Sequence, residues 1–211
     1  MIRATFLVLS LAGLVLLAPL VAPVPAESPN RMGPKTVDNC RVIADPGLYV
    51  LTEDIEQGGD DGNFTFASQS CLTIESDDVV FEGRGHAVDA LGNSDTTGIT
   101  VGGENASVEN VTVANVVVTD WNRGIYVGDS DGATLRNVTA RNNAYGTSIE
   151  HASGTSLVGS HYEGNLIGVY EGVGAADTSL SAMSYEDNYA GGVVSDAGSS
   201  NASRSSGGRA T

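Results

Sequence analysis

The groups in this chain able to do chemistry are few: three histidines (His86, His151, His161), two cysteines (Cys40, Cys71) and 26 acidic residues set against ten basic ones. A copper or other transition-metal centre needs soft or imidazole donors close together. The three histidines fall in three separate stretches, so the sequence predicts no metal site and no cofactor. A glycoside-cleaving site needs two carboxylates about 5 to 10 Å apart facing one sugar. The adjacent pairs Asp60-Asp61 and Asp77-Asp78 do not establish that and read as solvated turns. Arg123, Arg136 and Arg141 could serve as a lyase base, but Arg136 is expected to sit against Glu109. No phosphate cradle, nucleophilic triad or flavin site is present, which points away from catalysis. What remains is aromatic and hydrogen-bonding: Tyr126 and Tyr170, with Asp129, Glu150 and His151 close by in sequence.

Whether those residues share a surface depends on the elements that carry them. Four segments read Gly98-Ile-Thr-Val, Gly124-Ile-Tyr-Val, Gly146-Thr-Ser-Ile and Gly168-Val-Tyr-Glu, their glycines 26, 22 and 22 residues apart. Between them run segments starting at Val108, Leu135, Leu157 and Leu180 and ending in Asn115, Asn142, Asn165 and Asn188. Two interleaved series with one period mark stacked repeats. Short runs of Val, Ile, Thr and Tyr bounded by Gly, Asn and Asp are strand-and-turn chemistry. The expected fold is all-β, a single-stranded right-handed parallel β-helix, or solenoid, with coils of about 22 to 23 residues.

Strand parity then assigns faces. Predicted inward stacks are Val108, Leu135, Leu157 and Leu180; Val111, Val138, Ser160 and Met183; and Val113, Ala140, Tyr162 and Tyr185. Thr112, Thr139, His161 and Ser184 face out, and Asn137 occupies the corner matching Asn110. In the glycine-led strands Ile99, Ile125, Thr147 and Val169 point inward, as do Val101, Val127 and Ile149. Thr100, Tyr126, Ser148 and Tyr170 should then form one exposed stripe. Tyrosines on alternate coils would lie about 9 to 10 Å apart, near a disaccharide repeat, and could stack on sugar rings while Asp129, Glu150 and His151 hydrogen-bond.

Upstream, Cys40-Arg-Val-Ile, Pro46-Gly-Leu-Tyr-Val-Leu, Cys71-Leu-Thr-Ile and Val79-Val-Phe-Glu-Gly-Arg-Gly-His look like opening coils. On these patterns residues 40 to 195 resemble the right-handed β-helix repeat family of haloarchaeal secreted proteins, similar in pattern to pectate lyases and to NosD-like periplasmic proteins. The resemblance implies the fold and says little of activity. Polygalacturonase-like relatives use Gly-His-Gly with further acids and an Arg-x-Lys. Here Ala87 follows His86 and no Arg-x-Lys exists, so Gly83-Arg84-Gly85-His86 reads as a tight turn.

Met1 to Ala26 has Arg3, an apolar run from Phe6 to Ala22, and small residues before a cleavage point, which reads as a signal peptide, with a membrane anchor as the alternative. Residues 27–39 read as a linker and 196–211 as a disordered Ser/Gly-rich tail. The product is expected outside the cell or on its surface. There a Cys40–Cys71 disulfide can persist, two buried thiols being the alternative. The formal net charge is −16 and lysine occurs once, at Lys35. Such a surface suits high salt and excludes nucleic acid and anionic membrane as partners. The Asn-x-Ser/Thr triplets at Asn63, Asn105, Asn110, Asn137 and Asn201 are candidate glycosylation sites. An open C-terminal coil edge invites self-association. The leading functional expectation is a non-catalytic module contacting polysaccharide or cell-envelope polymers. The alternatives are a polysaccharide lyase or hydrolase of the pectin-lyase-like fold, and a structural spacer or NosD-like accessory protein.

Overall fold

The computed structural model describes residues 33–56, 70–92, 95–103, 106–196 and 203–204. Among them there is no helix, and the chain winds as a parallel β-solenoid. Its seven-stranded sheet runs Arg41–Ile43, Ser70–Ile74, Thr97–Gly102, Arg123–Gly128, Tyr145–Glu150, Ile167–Glu171, Gly191–Ser195. An eight-stranded sheet runs from Lys35–Val37 to Ser203–Arg204, and a six-stranded sheet from Ile55–Glu56 to Ser184–Glu186. Every pairing between these strands is parallel, as coil stacked on coil requires. Lys35–Val37 lies inside the segment read as a linker, yet pairs with Tyr49–Leu51 and buries Val37, so the solenoid starts before Cys40.

Inward files fill the bore. Ile43, Ile74, Val101, Val127 and Ile149 share one register line and are fully buried. Phe81, Val113, Leu135, Leu157 and Leu180 form a second, and Val88, Val118, Ala140, Tyr162 and Tyr185 a third. Each large apolar side chain so buried contributes about 1.5 to 3 kcal/mol. The first file then turns polar: Glu171 takes the place after Ile149 and Ser195 the next; Glu171 is buried and accepts from the Ser195 hydroxyl, while its Oε1 has no hydrogen-bond partner.

In one coil the register differs by five residues from the one expected from sequence. Val108 pairs with Ser130 rather than Leu135, and Leu135 pairs with Val113. Thr139 correspondingly pairs with Val117 rather than Thr112, and Ala140 with Val118 rather than Val113. Arg136 therefore lies beside Ala114, with its guanidinium 3.6 Å from Glu82 and not against Glu109. Burial survives the shift because both sets point inward: Val108, Val111, Val113, Leu135, Val138 and Leu157 are all buried, and Thr112, Thr139 and His161 are half-exposed. Met183 is only partly buried, in the last coil, where no described strand pairs beyond Ser184–Glu186.

The corners also regroup. Asn115, Asn137, Gly159 and Ala182 occupy equivalent turns, all with φ between 51 and 63°, and Asn137 Nδ2 donates to Asn115 Oδ1 at 2.7 Å. Asn110 belongs to another turn, donating to Asp78 Oδ1 at 2.6 Å. A third set is internal: Asn143, Asn165 and Asn188 form a ladder beginning at Trp121. Asn143 Oδ1 accepts from Trp121 N, and Asn165 Oδ1 accepts from both the backbone and side-chain nitrogens of Asn143. Asn188 Oδ1 does the same for Asn165. Each side-chain nitrogen also donates to a carbonyl 25 or 26 residues upstream, of Val118, Ala140 and Tyr162 in turn. Asn142, read in this series, is instead an exposed corner residue at φ 57°.

The disulfide forms as expected, joining Cys40 to Cys71 with Cα atoms 4.5 Å apart. Asn110 and Asn137 are exposed. Asn63, Asn105 and Asn201, the Asp60-Asp61 pair and residues 1–32 lie outside the described residues, as do residues 197–202 and 205–211.

Candidate binding surface

The outer face of the seven-stranded sheet is shaped by glycine. A Cβ on Gly98, Gly124, Gly146 or Gly168 would fall 2.5 to 2.7 Å from the carbonyl oxygen of the aligned glycine one coil on, closer than carbon and oxygen pack. These glycines are the places where the strands approach too closely for a side chain, which is why the residue recurs. They also break the alternation of faces, so residues three apart on one strand share the outer surface. Arg123 thus lies over Tyr126, with its guanidinium 5.3 Å from the ring centroid.

A second use of glycine follows the tyrosines. The Tyr126 ring lies where a Cβ of Gly128 would be, within 2.5 to 2.7 Å, and Tyr170 lies likewise against Gly172 at 2.8 Å. Each Tyr-x-Gly thereby lets its ring lie down along its own strand. Tyr126, Ser148 and Tyr170 are in register on successive coils, as expected. Ser148, however, is buried and not part of an exposed stripe. It is the shortest member of a row flanked by tyrosines, and its hydroxyl donates to Glu150 Oε1 at 3.1 Å. Tyr145 joins the same surface, its ring centroid 5.4 Å from that of Tyr170. The Tyr170 hydroxyl donates to Asp196 at 2.7 Å. That bond, with burial and nearby carboxylates, pushes the phenol up to about 12. Tyr126, Tyr145, Tyr170 and Arg123 together make a half-exposed aromatic floor, cationic at one end and acidic, through Glu150 and Asp196, at the other.

Asp129 and His151 follow the strands at aligned corners, both at positive φ, 43° and 51°. They line a shallow cleft with Glu109, Asp131 and Ser153, where the Ser153 hydroxyl donates to Asp131 at 2.9 Å. Glu150 is not among the lining residues, so the structure splits the sequence-predicted set: Tyr126, Tyr170 and Glu150 belong to the sheet face, Asp129 and His151 to the adjoining corner. Sequence reasoning missed Tyr145 and Arg123 as members of the face. The Tyr-x-Gly spacing and the glycine-induced change of parity were the available signals.

Gly83-Arg84-Gly85-His86 is a turn, with Arg84 and Gly85 at positive φ. His86 Nδ1 is 3.1 Å from Asp54 Oδ1, which also accepts from Ala87 N at 2.9 Å. That backbone bond, then His86, hold the Asp54 carboxyl below its ordinary value.

These features define a repeat protein built as a solenoid of stacked parallel strands. The family model of NosD, described as a periplasmic copper-binding protein, matches residues 71–201, and the chain belongs to that family. Among solved structures, ORF18 of Geobacillus virus E2 aligns at 12% identity with a TM-score of 0.39, covering 72% of this chain and 32% of that one. The chain thus spans about a third of that structure's length. No curated protein matches the chain.

The donor set does not fit the family's copper. His86 sits in an early turn against Asp54, His151 at a corner of the seven-stranded sheet, and His161 on the six-stranded sheet, 3.7 Å from Glu163. Both cysteines are consumed in the disulfide, and Met183 packs against the core. Among the described residues no three His, Cys, Asp or Glu groups converge as metal ligands.

Proposed function

We propose that this NosD-family chain is a non-catalytic module exported beyond the cytoplasmic membrane of a salt-adapted cell, where its aromatic sheet face holds an extended polysaccharide of the envelope. The observation that carries the reading is the register of Tyr126 and Tyr170, two coils apart over a buried Ser148. Two strand spacings separate such rings by about 9.6 Å, which suits alternate residues of an extended sugar chain, and each phenol pairs an apolar face with a polar tip. The single lysine and the net charge of −16 support a surface kept hydrated in strong salt. The family's description as periplasmic supports export.

The test is binding of envelope polysaccharide in molar salt by the parent and by a Tyr126→Ala, Tyr170→Ala double variant. The double variant should fold and lose binding; equal binding by both refutes the reading. A second reading, a NosD-like accessory or spacer protein without a glycan ligand, is favoured by the family match and predicts no binding by either. Incubation with acidic polysaccharides, followed by reducing-end and unsaturated-uronate assays, should give no product; product formation would make the chain a lyase or hydrolase.

A further inference from the structure

Among the described residues no carboxylate lies within ion-pairing distance of Arg123, in a chain where acids outnumber bases 26 to 10. Lys35 is tied to Asp45 and Tyr49, and Arg136 to Glu82. Among the described residues the Arg123 guanidinium instead lies over the Tyr126 ring, and its buried Nε lacks a hydrogen-bond partner. Its register neighbours are Thr97 on one side and Tyr145 on the other, neither of them an acid. The carboxylates that share this face, Glu150 and Asp196, act on Tyr170 at the opposite end. A guanidinium held against an aromatic floor is a preformed fork for a planar anion.

We infer that Arg123 makes this face selective for uronic-acid polysaccharides, receiving the carboxylate of one sugar while its neighbours lie on Tyr126, Tyr145 and Tyr170. The inference rests on the polysaccharide reading above. The protein's overall negative charge opposes an anionic polymer at low salt. At 1 M salt the Debye length falls to about 3 Å, which removes the long-range repulsion and leaves the direct contact. Binding of a uronate should therefore strengthen as salt is raised, the reverse of ordinary ion pairing at a basic surface.

Calorimetric titration in 1 M NaCl with hexagalacturonate and with neutral xylohexaose tests this on the parent, Arg123→Gln, Arg123→Lys and the Tyr126→Ala, Tyr170→Ala variant, each checked for folding by circular dichroism. The parent should bind the uronate at least tenfold more tightly than the neutral sugar. Arg123→Gln should erase that preference while leaving xylohexaose affinity within about twofold, and Arg123→Lys should fall between. Equal affinity of the parent for the two sugars, or equal weakening of both by Arg123→Gln, overturns the selectivity and leaves the tyrosine reading standing. Binding of neither sugar by the parent, or undiminished binding by the tyrosine variant, overturns both.

Discussion

Removing the Asn165 side chain is the sharpest perturbation of this fold. That side chain makes four hydrogen bonds of 2.9 to 3.0 Å: two accepted from Asn143, one donated to Ala140 O and one to Asn188 Oδ1. It is 1% exposed. In Asn165→Ala the Asn143 backbone N–H and one Asn143 side-chain N–H lose their partners inside the bore, and the Ala140 carbonyl loses one of its donors. Each buried orphan costs about 1 to 3 kcal/mol, and a water entering the small cavity recovers part of this. The net expectation is a loss of about 2 to 5 kcal/mol, a large share of a typical domain's stability. Asn142→Gly is the control: the site is exposed and its φ of 57° suits glycine, so it should change stability by no more than about 0.5 kcal/mol. Guanidinium denaturation followed by circular dichroism, with the disulfide intact, measures both. A cost below about 1.5 kcal/mol for Asn165→Ala, or an equal cost for Asn142→Gly, would refute the ladder as a stabilising element.

Four further outcomes are expected. Ala182 sits at φ 54° in the corner that Gly159 and Asn137 fill in the preceding coils; Ala182→Gly should relieve strain worth about 1 kcal/mol, part of it offset by unfolded-state entropy, and raise Tm by about 1 to 2 °C in calorimetry. Asp89 is pushed above its ordinary 3.8 by burial and by Asp120 and Glu56, despite Arg141. An acid whose folded pKa exceeds its unfolded one costs stability above the folded value and nothing below the unfolded one, so Asp89→Asn should stabilise by a few tenths of a kcal/mol at pH 7 and not at pH 3, read from paired melts. Replacing both Cys40 and Cys71 by Ala, 31 residues apart, should cost about 3.7 kcal/mol on the chain-entropy account, measured by denaturation against the oxidised parent. Copper(I) competition against bicinchoninate and copper(II) spectroscopy should find no stoichiometric site; a one-to-one complex surviving the chelator would contradict the reading of His86, His151 and His161 as isolated.

The sequence carried the solenoid because its inward residues repeat with strand parity, and parity survives an error in register. Val108 and Leu135 belong to different stacks, yet both are buried. Val108-Glu-Asn-Val-Thr and Leu135-Arg-Asn-Val-Thr are alike but 27 residues apart, whereas the equivalent corners Asn115 and Asn137 stand at the 22-residue interval of the glycines. Two corners fall in the first of those segments, one at Asn110 and one at Asn115, and local composition does not tell them apart. The surface was legible to the extent that it follows parity: Tyr126 and Tyr170 align as read. The burial of Ser148 is not legible from its own strand, because exposure depends on what stands one coil above and below, a fact about residues 22 positions away. Arg123 and Tyr145 were hidden by the same glycines that announced the repeat, since the close approach at Gly124 and Gly146 suspends simple alternation.

The ladder has a bearing on how such a chain changes length. Because each asparagine serves the coil before it and is served by the coil after it, the stack behaves as a ruler graduated in single coils of about 4.8 Å. Excising residues 143–164 would place Asn165 directly against Trp121, with a carbonyl acceptor and a backbone donor waiting where Asn143 had used them. Thr147 and Tyr162, whose hydroxyls meet at 2.8 Å in the bore, would leave together and orphan nothing. An insertion or deletion of one residue inside a strand has no such escape, since it would break the ladder and misalign the glycine row at once. Whole coils are therefore the natural unit in which this protein can be lengthened or shortened, and the extent of its outer face can be adjusted without redesigning the bore.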